Sequence, residues 1–277
     1  MNPHQPASTS PLSLLSNLWR NRSLILQLIQ RDVIGRYNGS VFGLAWSFFN
    51  PLLLLTVYAF VFTVAFKAQW TGAGQTQGKG YFAIMLFVGM VVHGFFAECL
   101  TRAPGVIVGN ANYVKKVVFP LELLPVVAVG SALFHTFISV SVLLVGVLAL
   151  RQSLPATALL VPLVLLPLVL LAQGVTWLLA ALGVYLRDIA HSTSLLATVL
   201  SFVSPVFYPA SALPEPYSRW IYLNPLTWVM ETARAVLVQG TAPHWGQWLV
   251  AISASAVVCW LGYWSFQKSR PGFADVL

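Results

Sequence analysis

The chain has 277 residues, of which 58% are hydrophobic and 8% are charged. Because an ordinary soluble domain carries about 25% charged residues, this composition excludes a soluble globular protein and indicates a chain solvated mainly by lipid. The formal charge of +8 does not indicate a nucleic-acid partner, because the basic residues are dispersed and no aromatic-basic module is present. Cys99 and Cys259 form no CxxC pair and no metal-ligand spacing, so we expect no cofactor or metal bound by this chain.

The amino-terminal 40 residues predict two parts. Residues 1–16 are rich in Pro, Ser and Asn and predict a flexible tail. Residues 17–40 predict a cytoplasmic helix lying along the membrane surface, because Gln27 and Arg31 lie opposite an apolar face. That face comprises Leu26, Ile29, Val33 and Tyr37.

Six uncharged or nearly uncharged runs are long enough to cross a bilayer core of about 30 Å, which requires about 20 helical residues. They predict an all-α integral membrane protein with a six-helix transmembrane domain over 41–267. The predicted spans are 41–66, 81–98, 121–150, 156–186, 190–208 and 248–267. Pro162 and Pro167 predict that the fourth span is bent or begins near the interface.

The distribution of Lys and Arg predicts that both termini, including a tail at 268–277, are cytoplasmic, since basic residues prefer that side. The predicted cytoplasmic set is Arg20, Arg22, Arg31, Arg36, Arg102, Lys115, Lys116, Arg187, Lys268 and Arg270. The predicted external set is Lys67, Lys79, Arg151, Arg219 and Arg234.

Two connections are too long to be simple turns. Residues 99–120 predict a cytoplasmic segment with small, polar and basic residues that offers a docking surface for a soluble partner. Residues 209–247 combine several prolines, among them Pro209, Pro214, Pro216 and Pro225, with apolar stretches too short to span, which predicts short re-entrant or interfacial helices. Because irregular backbone at membrane depth requires a protein or water-filled environment, we expect this second segment to form an external gate.

The loop GAGQTQGKG places Gly78 next to Lys79 but lacks the spacing of a phosphate-binding P-loop, since Ala73 and Gly80 stand where Gly and Ser or Thr are needed. The chain also lacks GxSxG and HExxH motifs. The sequence therefore predicts a protein that is not an enzyme. If its activity is driven by ATP, another subunit supplies the ATPase.

Four ionisable residues lie in or at the ends of the predicted spans, where they are costly and therefore candidates for function. These residues are His93, Glu98, Glu122 and His135. For the histidines, neutral hydrogen bonding between helices is favoured over a transport role. For the glutamates, pairing with basic residues is favoured over a proton relay. The candidate basic partners are Arg102, Lys115 and Lys116.

Aromatic residues of the first span are candidates for lining a polymer path, because sugar rings stack on aromatic faces. Tyr58, Phe62 and Phe66 share a helical face, and Trp46 and Phe49 lie nearer the cytoplasmic end. Ordinary packing against lipid or helices explains the same residues, so both interpretations stay open.

Four segments resemble the polysaccharide-exporting permeases of type-2 ATP-binding-cassette (ABC) transporters, in the expected order along the chain. They are RDVIGRYNGSVFGLAWSFFNP at 31–51, NYVKKVVFPLELLP at 112–125, LRDIAH at 186–191 and NPLTWVMETARAVLVQG at 224–240. The resemblance implies a homodimer of this chain joined to two copies of a nucleotide-binding ATPase subunit that carries ATP and Mg.

The resemblance also implies roles for residues at matching positions. The interfacial helix would include Arg31, Arg36 and Tyr37. The ATPase-coupling region would include Arg102, Asn110, Tyr113, Lys115 and Lys116. The periplasmic gate would include Pro205, Tyr208, Asn224, Pro225 and Trp228.

The cargo implied by the resemblance is an undecaprenyl-linked O-antigen polysaccharide, moved across the bacterial inner membrane between two copies of the chain. Alternative cargoes within the family are capsule, teichoic acid, a lipo-oligosaccharide or a drug. An ion-coupled secondary transporter or a membrane-embedded transferase is the alternative from another class, and either would work without an ATPase.

Overall fold

The computed structural model describes residues 9–65, 79–115, 119–215 and 217–277. Over these ranges the chain is helical and contains no β-strand. The α-helices are α1 (Pro11–Arg20), α2 (Arg22–Tyr37), α3 (Trp46–Phe60), α4 (Lys79–Arg102), α5 (Gly105–Val108), α6 (Ala111–Lys115), α7 (Leu123–Arg151), α8 (Val161–Tyr185), α9 (Ile189–Val203), α10 (Tyr217–Ile221), α11 (Pro225–Arg234), α12 (Trp245–Ser269) and α13 (Phe273–Val276).

Five helical stretches in the described part of the chain are long and apolar enough to cross a membrane. They are Gly43–Phe60, Gly80–Arg102, Leu123–Ala149, Ala156–Tyr185 and Trp245–Val276. The remaining predicted span, 190–208, corresponds to α9, which has 15 residues and a length of about 22 Å at 1.5 Å per residue. The prediction of an all-helical multi-pass membrane protein is confirmed, whereas the count of six spans stays a prediction.

The amino-terminal region is more ordered than predicted. Residues 11–16 belong to α1 rather than to a flexible tail, because Ser10 caps the helix through a 3.2 Å bond from the Ser13 amide and Pro11 occupies the first turn. Residues 1–8 lie outside the described residues. The predicted single interfacial helix is interrupted at Asn21, which separates α1 from α2.

The buried face of α2 differs from the predicted stripe. Leu28 and Val33 are the buried residues, whereas Leu26 is 66% exposed. This face packs on α7, where the Ile29 side chain lies against Gly130. The helix is therefore oriented by its contact with α7 and not by its apolar periodicity alone.

Helices α8 and α12 pack against each other more extensively than any other described pair. Their backbones meet at two glycines: a Cβ on Gly262 would lie 2.0 Å from the Gly174 carbonyl oxygen, and one on Gly174 would lie 2.6 Å from the Cys259 Cα. Pro162 lies in the first turn of α8, where no amide donor is needed, and Pro167 lies inside the helix.

One end of the helix bundle, which we call the basic end, is formed where the carboxyl ends of α4, α8 and α12 meet the amino end of α7 and the short helices α5 and α6. Tyr185 at the end of α8 donates a 2.8 Å hydrogen bond to the Ser269 carbonyl oxygen at the end of α12. Trp177 of α8 donates to the Glu122 carbonyl oxygen at the start of α7. A separate apolar core of buried side chains, including Ile107, holds this end together.

Candidate functional site

Helix α2 is attached to the basic end by three polar contacts. Arg31 donates to the Tyr113 hydroxyl at 3.0 Å, Arg102 contacts Asp32 at 2.8 Å, and Arg36 contacts Glu98 at 2.8 Å. These contacts join α2 to α6 and to the last turn of α4. We call this cluster the α2 junction, and it consists of Arg31, Asp32, Arg36, Glu98, Arg102, Tyr113 and His135.

Glu98 is the centre of the junction. Its carboxylate lies 2.8 Å from Arg36, 3.6 Å from Arg102 and 3.1 Å from the His135 Nδ1. The side chain is 21% exposed, so these interactions are screened less than those on a fully exposed surface. Arg102 lies four residues after Glu98 on α4, a spacing that places both on one helical face.

His135 brings α7 into the same cluster. Its Nδ1 lies 3.1 Å from Glu98 Oε1 and 3.2 Å from Arg36 Nη1. Whether this nitrogen donates to the carboxylate or accepts from the guanidinium depends on which ring nitrogen carries the proton. In either state the histidine connects α7 to α2 and α4, which agrees with the predicted hydrogen bonding between helices.

The junction carries a net positive charge, because three arginines face two carboxylates when His135 is neutral. Partial burial opposes ionisation of Asp32, but hydrogen bonds from its side-chain partners and the positive charge of Arg102 and Arg36 hold the pKa of this carboxyl below its usual value. Because the cluster has one more positive than negative side chain, its net charge favours an anionic group nearby.

A cavity of about 250 Å³ opens beside the junction, between α2, α3, α4 and α7. This volume lies just below the range of about 300–1,000 Å³ that is typical of small-molecule pockets. Its polar lining includes Arg36, Tyr37, Ser47, Asn50, Glu98 and His135. The cavity can therefore hold a small polar group next to a guanidinium.

The predicted coupling residues are only partly brought together. Tyr113 and Arg102 belong to the junction, whereas Asn110 bonds to the Val106 carbonyl oxygen of its own helical segment. Lys115 donates to the Leu277 carbonyl oxygen and does not pair with a glutamate. Lys116 lies outside the described residues.

Both glutamates pair with basic residues, as predicted, but the partner of Glu122 is not among the three candidates named from the sequence. Glu98 contacts Arg102, as expected, and adds Arg36. Glu122 is instead paired with Arg270 at 2.9 Å. The reason is spatial: Arg270 follows the last long helix and is far from Glu122 in sequence but adjacent in the fold.

The candidate polymer-lining residues divide into two groups. Trp46 and Phe49 are 46% and 47% exposed and do not line the cavity. Tyr58 stacks on Phe62 at 6.1 Å, and Phe62 stacks on Phe82 of α4 at 5.4 Å. Phe66 lies outside the described residues. A role in lining a polymer path stays a prediction for all of them.

The segment predicted as a gate contains short helices, and its candidate residues stabilise local structure. Asn224 caps α11 by accepting from the Leu226 amide at 3.0 Å, and its amide group donates to the Ser204 hydroxyl at 2.8 Å. Pro225 occupies the first turn of α11, and Pro205 is buried. The other two side chains bond at their polar ends: Tyr208 to the Phe202 carbonyl oxygen and Trp228 to Gln247. Gating stays a prediction.

Arg234 is a central residue of this segment that the sequence did not reveal, since it was predicted as an external loop cation. It is 1% exposed, and donates to the carbonyl oxygens of Met85 and Val206 at 3.0 Å and to Glu231 at 2.9 Å. Burial lowers the pKa of Arg234 to about 10, opposed by the Glu231 carboxylate, so the guanidinium stays charged at neutral pH. It fastens α11 to α4 and to the chain after α9.

Across the described ranges no group of three His, Cys, Asp or Glu side chains is positioned to hold a metal ion. His93 likewise has a structural contact, 3.0 Å from the Ala197 carbonyl oxygen of α9.

The sequence pattern of the ABC-2 type transporter family matches residues 23–238. This chain belongs to the ABC-2 type transporter family. The matched region of this ABC-2 chain contains the whole α2 junction, the 99–120 segment and α11, and it ends before α12.

Three curated relatives illustrate the range of similarity. The chain is 29% identical over 266 residues to the O-antigen export system permease protein RfbA of Myxococcus xanthus, covering 95% of this chain and 99% of the relative. It is 25% identical over 268 residues to an O-antigen export system permease protein RfbA of Klebsiella pneumoniae, covering 96% and 99%. It is 21% identical over 220 residues to the polysialic acid transport protein KpsM of Escherichia coli, covering 77% and 80%.

Proposed function

We propose that this ABC-2 chain is the permease subunit of an ATP-driven exporter that moves a lipid-linked O-antigen-type polysaccharide across the bacterial inner membrane. The observation that carries the proposal is the similarity over nearly the whole length of both chains to relatives named as O-antigen export permeases. Capsular polysaccharide is the second candidate cargo, favoured by the more distant similarity to the polysialic acid transport protein.

The contacts of the α2 junction support a mechanism in which a separate ATPase subunit moves this chain. A partner ATPase subunit binding ATP and Mg would dock on the 99–120 segment, and its movement would reach α2 through the contact between Arg31 and Tyr113 at 3.0 Å. Arg36, Asp32 and their partners then carry the movement to α4, because charged pairs held at 2.8 Å resist separation. The junction thus converts a displacement of one short segment into a displacement of two helices.

The cavity supports recognition of the anionic head of a lipid-linked cargo. It opens beside α2, the helix predicted to lie along the membrane surface, where the lipid anchor of such a cargo would be held. Arg36 supplies a guanidinium donor that is shared with the Glu98 carboxylate of the same lining, and Ser47 and Asn50 of α3 supply further hydrogen-bonding groups. The volume of about 250 Å³ fits a head group, so the polymer itself requires a different path.

We place that path between two copies of the chain. The stretch Gly43–Phe60 is the least buried of the five candidate spans, with 6% of its apolar window buried inside one chain. Its exposed residues include Leu53 at 59% and Phe60 at 63%. A homodimer contact along α3 would cover part of this surface and enclose a route for glycan beside it.

Deletion of the chain in its native cell tests the proposed cargo. We expect the surface polysaccharide to be lost while lipid-linked polymer accumulates on the cytoplasmic side, and expression of the chain in trans to restore export. Unchanged surface glycan with no internal accumulation would contradict the proposal. Loss of capsule with intact O antigen would favour the second candidate.

Purification of the chain with its partner tests the energy source. We expect a nucleotide-binding subunit to copurify in equal number, and transport in vesicles to require ATP and Mg. Transport by the isolated chain in response to a proton gradient alone would instead support an ion-coupled secondary transporter.

A further inference from the structure

Glu122 is a buried carboxylate held by two other parts of the chain. It is 3% exposed and lies at the amino end of α7. Its two oxygens accept separate hydrogen bonds, from Asn17 of α1 at 2.6 Å and from Arg270 beyond α12 at 2.9 Å. The same guanidinium also reaches the Phe119 carbonyl oxygen at 3.5 Å. One carboxylate at the start of α7, two residues after the 99–120 segment, is thereby held by α1 and by the residue that follows α12.

Residues 270–277, which we call the tail strut, are packed rather than loose. Phe273 is fully buried and contacts Phe266 of α12 at 5.4 Å and Tyr185 of α8 at 6.1 Å between ring centroids. At its far end the strut meets α6, where the Lys115 ammonium donates to the Leu277 carbonyl oxygen. The strut is therefore attached to the 99–120 segment at both of its ends.

We propose that the tail strut is a transmission element that couples movement of the 99–120 segment to α12 and α8, with Arg270 as its positioning residue. This inference rests on the proposed function, in which an ATPase moves that segment. It extends beyond the region that matches the ABC-2 family, which ends at residue 238.

The physical argument is that a buried ion pair separates only at high cost, because each partner would be left charged and desolvated. The start of α7, which directly follows the 99–120 segment, consequently moves together with Arg270 and with the end of α12. Since α12 packs along α8, the movement reaches both helices. The strut therefore supplies a second route for movement, to α12 and α8. The α2 junction supplies the other route, to α2 and α4.

A charge exchange tests the role of Arg270 in the complete complex with its ATPase, reconstituted in vesicles. We expect Arg270→Glu to lower glycan transported per ATP hydrolysed about tenfold, a size usual for coupling between sites, while the ATPase still binds. Adding Glu122→Arg in the same chain should restore much of the ratio. The control is Lys268→Glu, an exposed cation two residues earlier, which should leave the ratio unchanged.

An unchanged ratio in Arg270→Glu, or a loss that the double variant does not repair in properly assembled protein, would overturn the proposal. These outcomes differ from failure of the proposed function, in which the unsubstituted complex itself would show no ATP-driven transport.

A reversible cross-link tests the strut without depending on charge. Lys115→Cys and Leu277→Cys are introduced together after the buried native cysteines are replaced by alanine, and are bridged with a short, cleavable thiol reagent. We expect bridged protein to transport at the unbridged rate, because the two residues move as one unit. Loss of transport on bridging that returns after reduction would overturn the proposal, since it would mean that the strut must detach.

Discussion

At the scale of single residues, the most informative side chain is Glu98. An ionised carboxylate inside an apolar helix is costly, and the cost is offset when cations and hydrogen-bond donors surround it. Arg36 and Arg102 supply the charge, and His135 supplies a further polar contact. Removing the carboxylate would leave the two guanidinium groups close together with less compensation.

We expect Glu98→Gln to destabilise the protein by about 1–3 kcal/mol, because the partly buried guanidinium groups of Arg36 and Arg102 lose the neutralising charge and one of two acceptor oxygens. Transport should fall as α2 loosens from α4. The measurements are the apparent unfolding temperature in detergent and the rate of glycan export. Glu215→Gln is the control, since its ion pair with Arg219 is 66% and 82% exposed and should contribute about 1 kcal/mol or less. Equal effects of the two variants would contradict a central role for Glu98.

At the scale of elements, the close contact between α8 and α12 depends on the absence of side chains at two positions. Glycine lets helix backbones approach closely and gain dispersion contacts along their length, which matters in lipid where water does not drive helix association. Gly174 and Gly262 face each other at this crossing. The pair anchors the end of the bundle to which the tail strut is attached.

We expect Gly262→Ala to reduce the yield of folded protein sharply, because the new Cβ would lie 2.0 Å from a backbone oxygen that cannot move aside. Gly246→Ala, in the first turn of the same helix, has no heavy atom within 4 Å and should be neutral or slightly stabilising, since alanine favours helix. Size-exclusion profiles and thermal unfolding compare the two. Similar behaviour of both variants would argue against the tight crossing.

At the scale of the whole molecule, the described basic residues are distributed unequally between the two ends of the bundle. The basic end has the three arginines of the α2 junction and also Lys115, Arg187, Lys268 and Arg270. The described opposite end has Lys79 at the start of α4, Arg151 at the end of α7, Arg219 and Arg234. Because Lys and Arg in short loops prefer the cytoplasm, the basic end is predicted to face the ATPase.

Thiol labelling tests this orientation. In a chain with both native cysteines replaced, we expect Val108→Cys to react with a membrane-impermeant maleimide only after cells are opened, and Leu154→Cys to react in spheroplasts. These side chains are 44% and 43% exposed, so access rather than burial decides the result. Labelling of position 108 in intact cells would show that the basic end faces outward, which would contradict the proposed coupling to a cytoplasmic ATPase.

The sequence by itself determined that this protein is surrounded by lipid, that it is a helical membrane protein, and which family it resembles. Long uncharged runs require lipid whatever their neighbours are, so the helical membrane class and most of its long helices followed from composition. Local signals also predicted the short helices before α12, whereas Pro162, expected inside a bent span, lies in the first turn of α8. The segment from 31 to 51 and its companions supplied the family resemblance, because they are patterns of contiguous residues.

Only the tertiary structure decided which residues meet. Glu98 meets Arg36 across 62 positions, and Glu122 meets Arg270 across 148, separations over which no periodicity carries information. The burial of Arg234 likewise depends on packing against other elements, since its guanidinium bonds to the carbonyl oxygens of Met85 and Val206. Partner choice is a long-range property, since an ionisable group in lipid requires a partner without specifying where along the chain that partner lies.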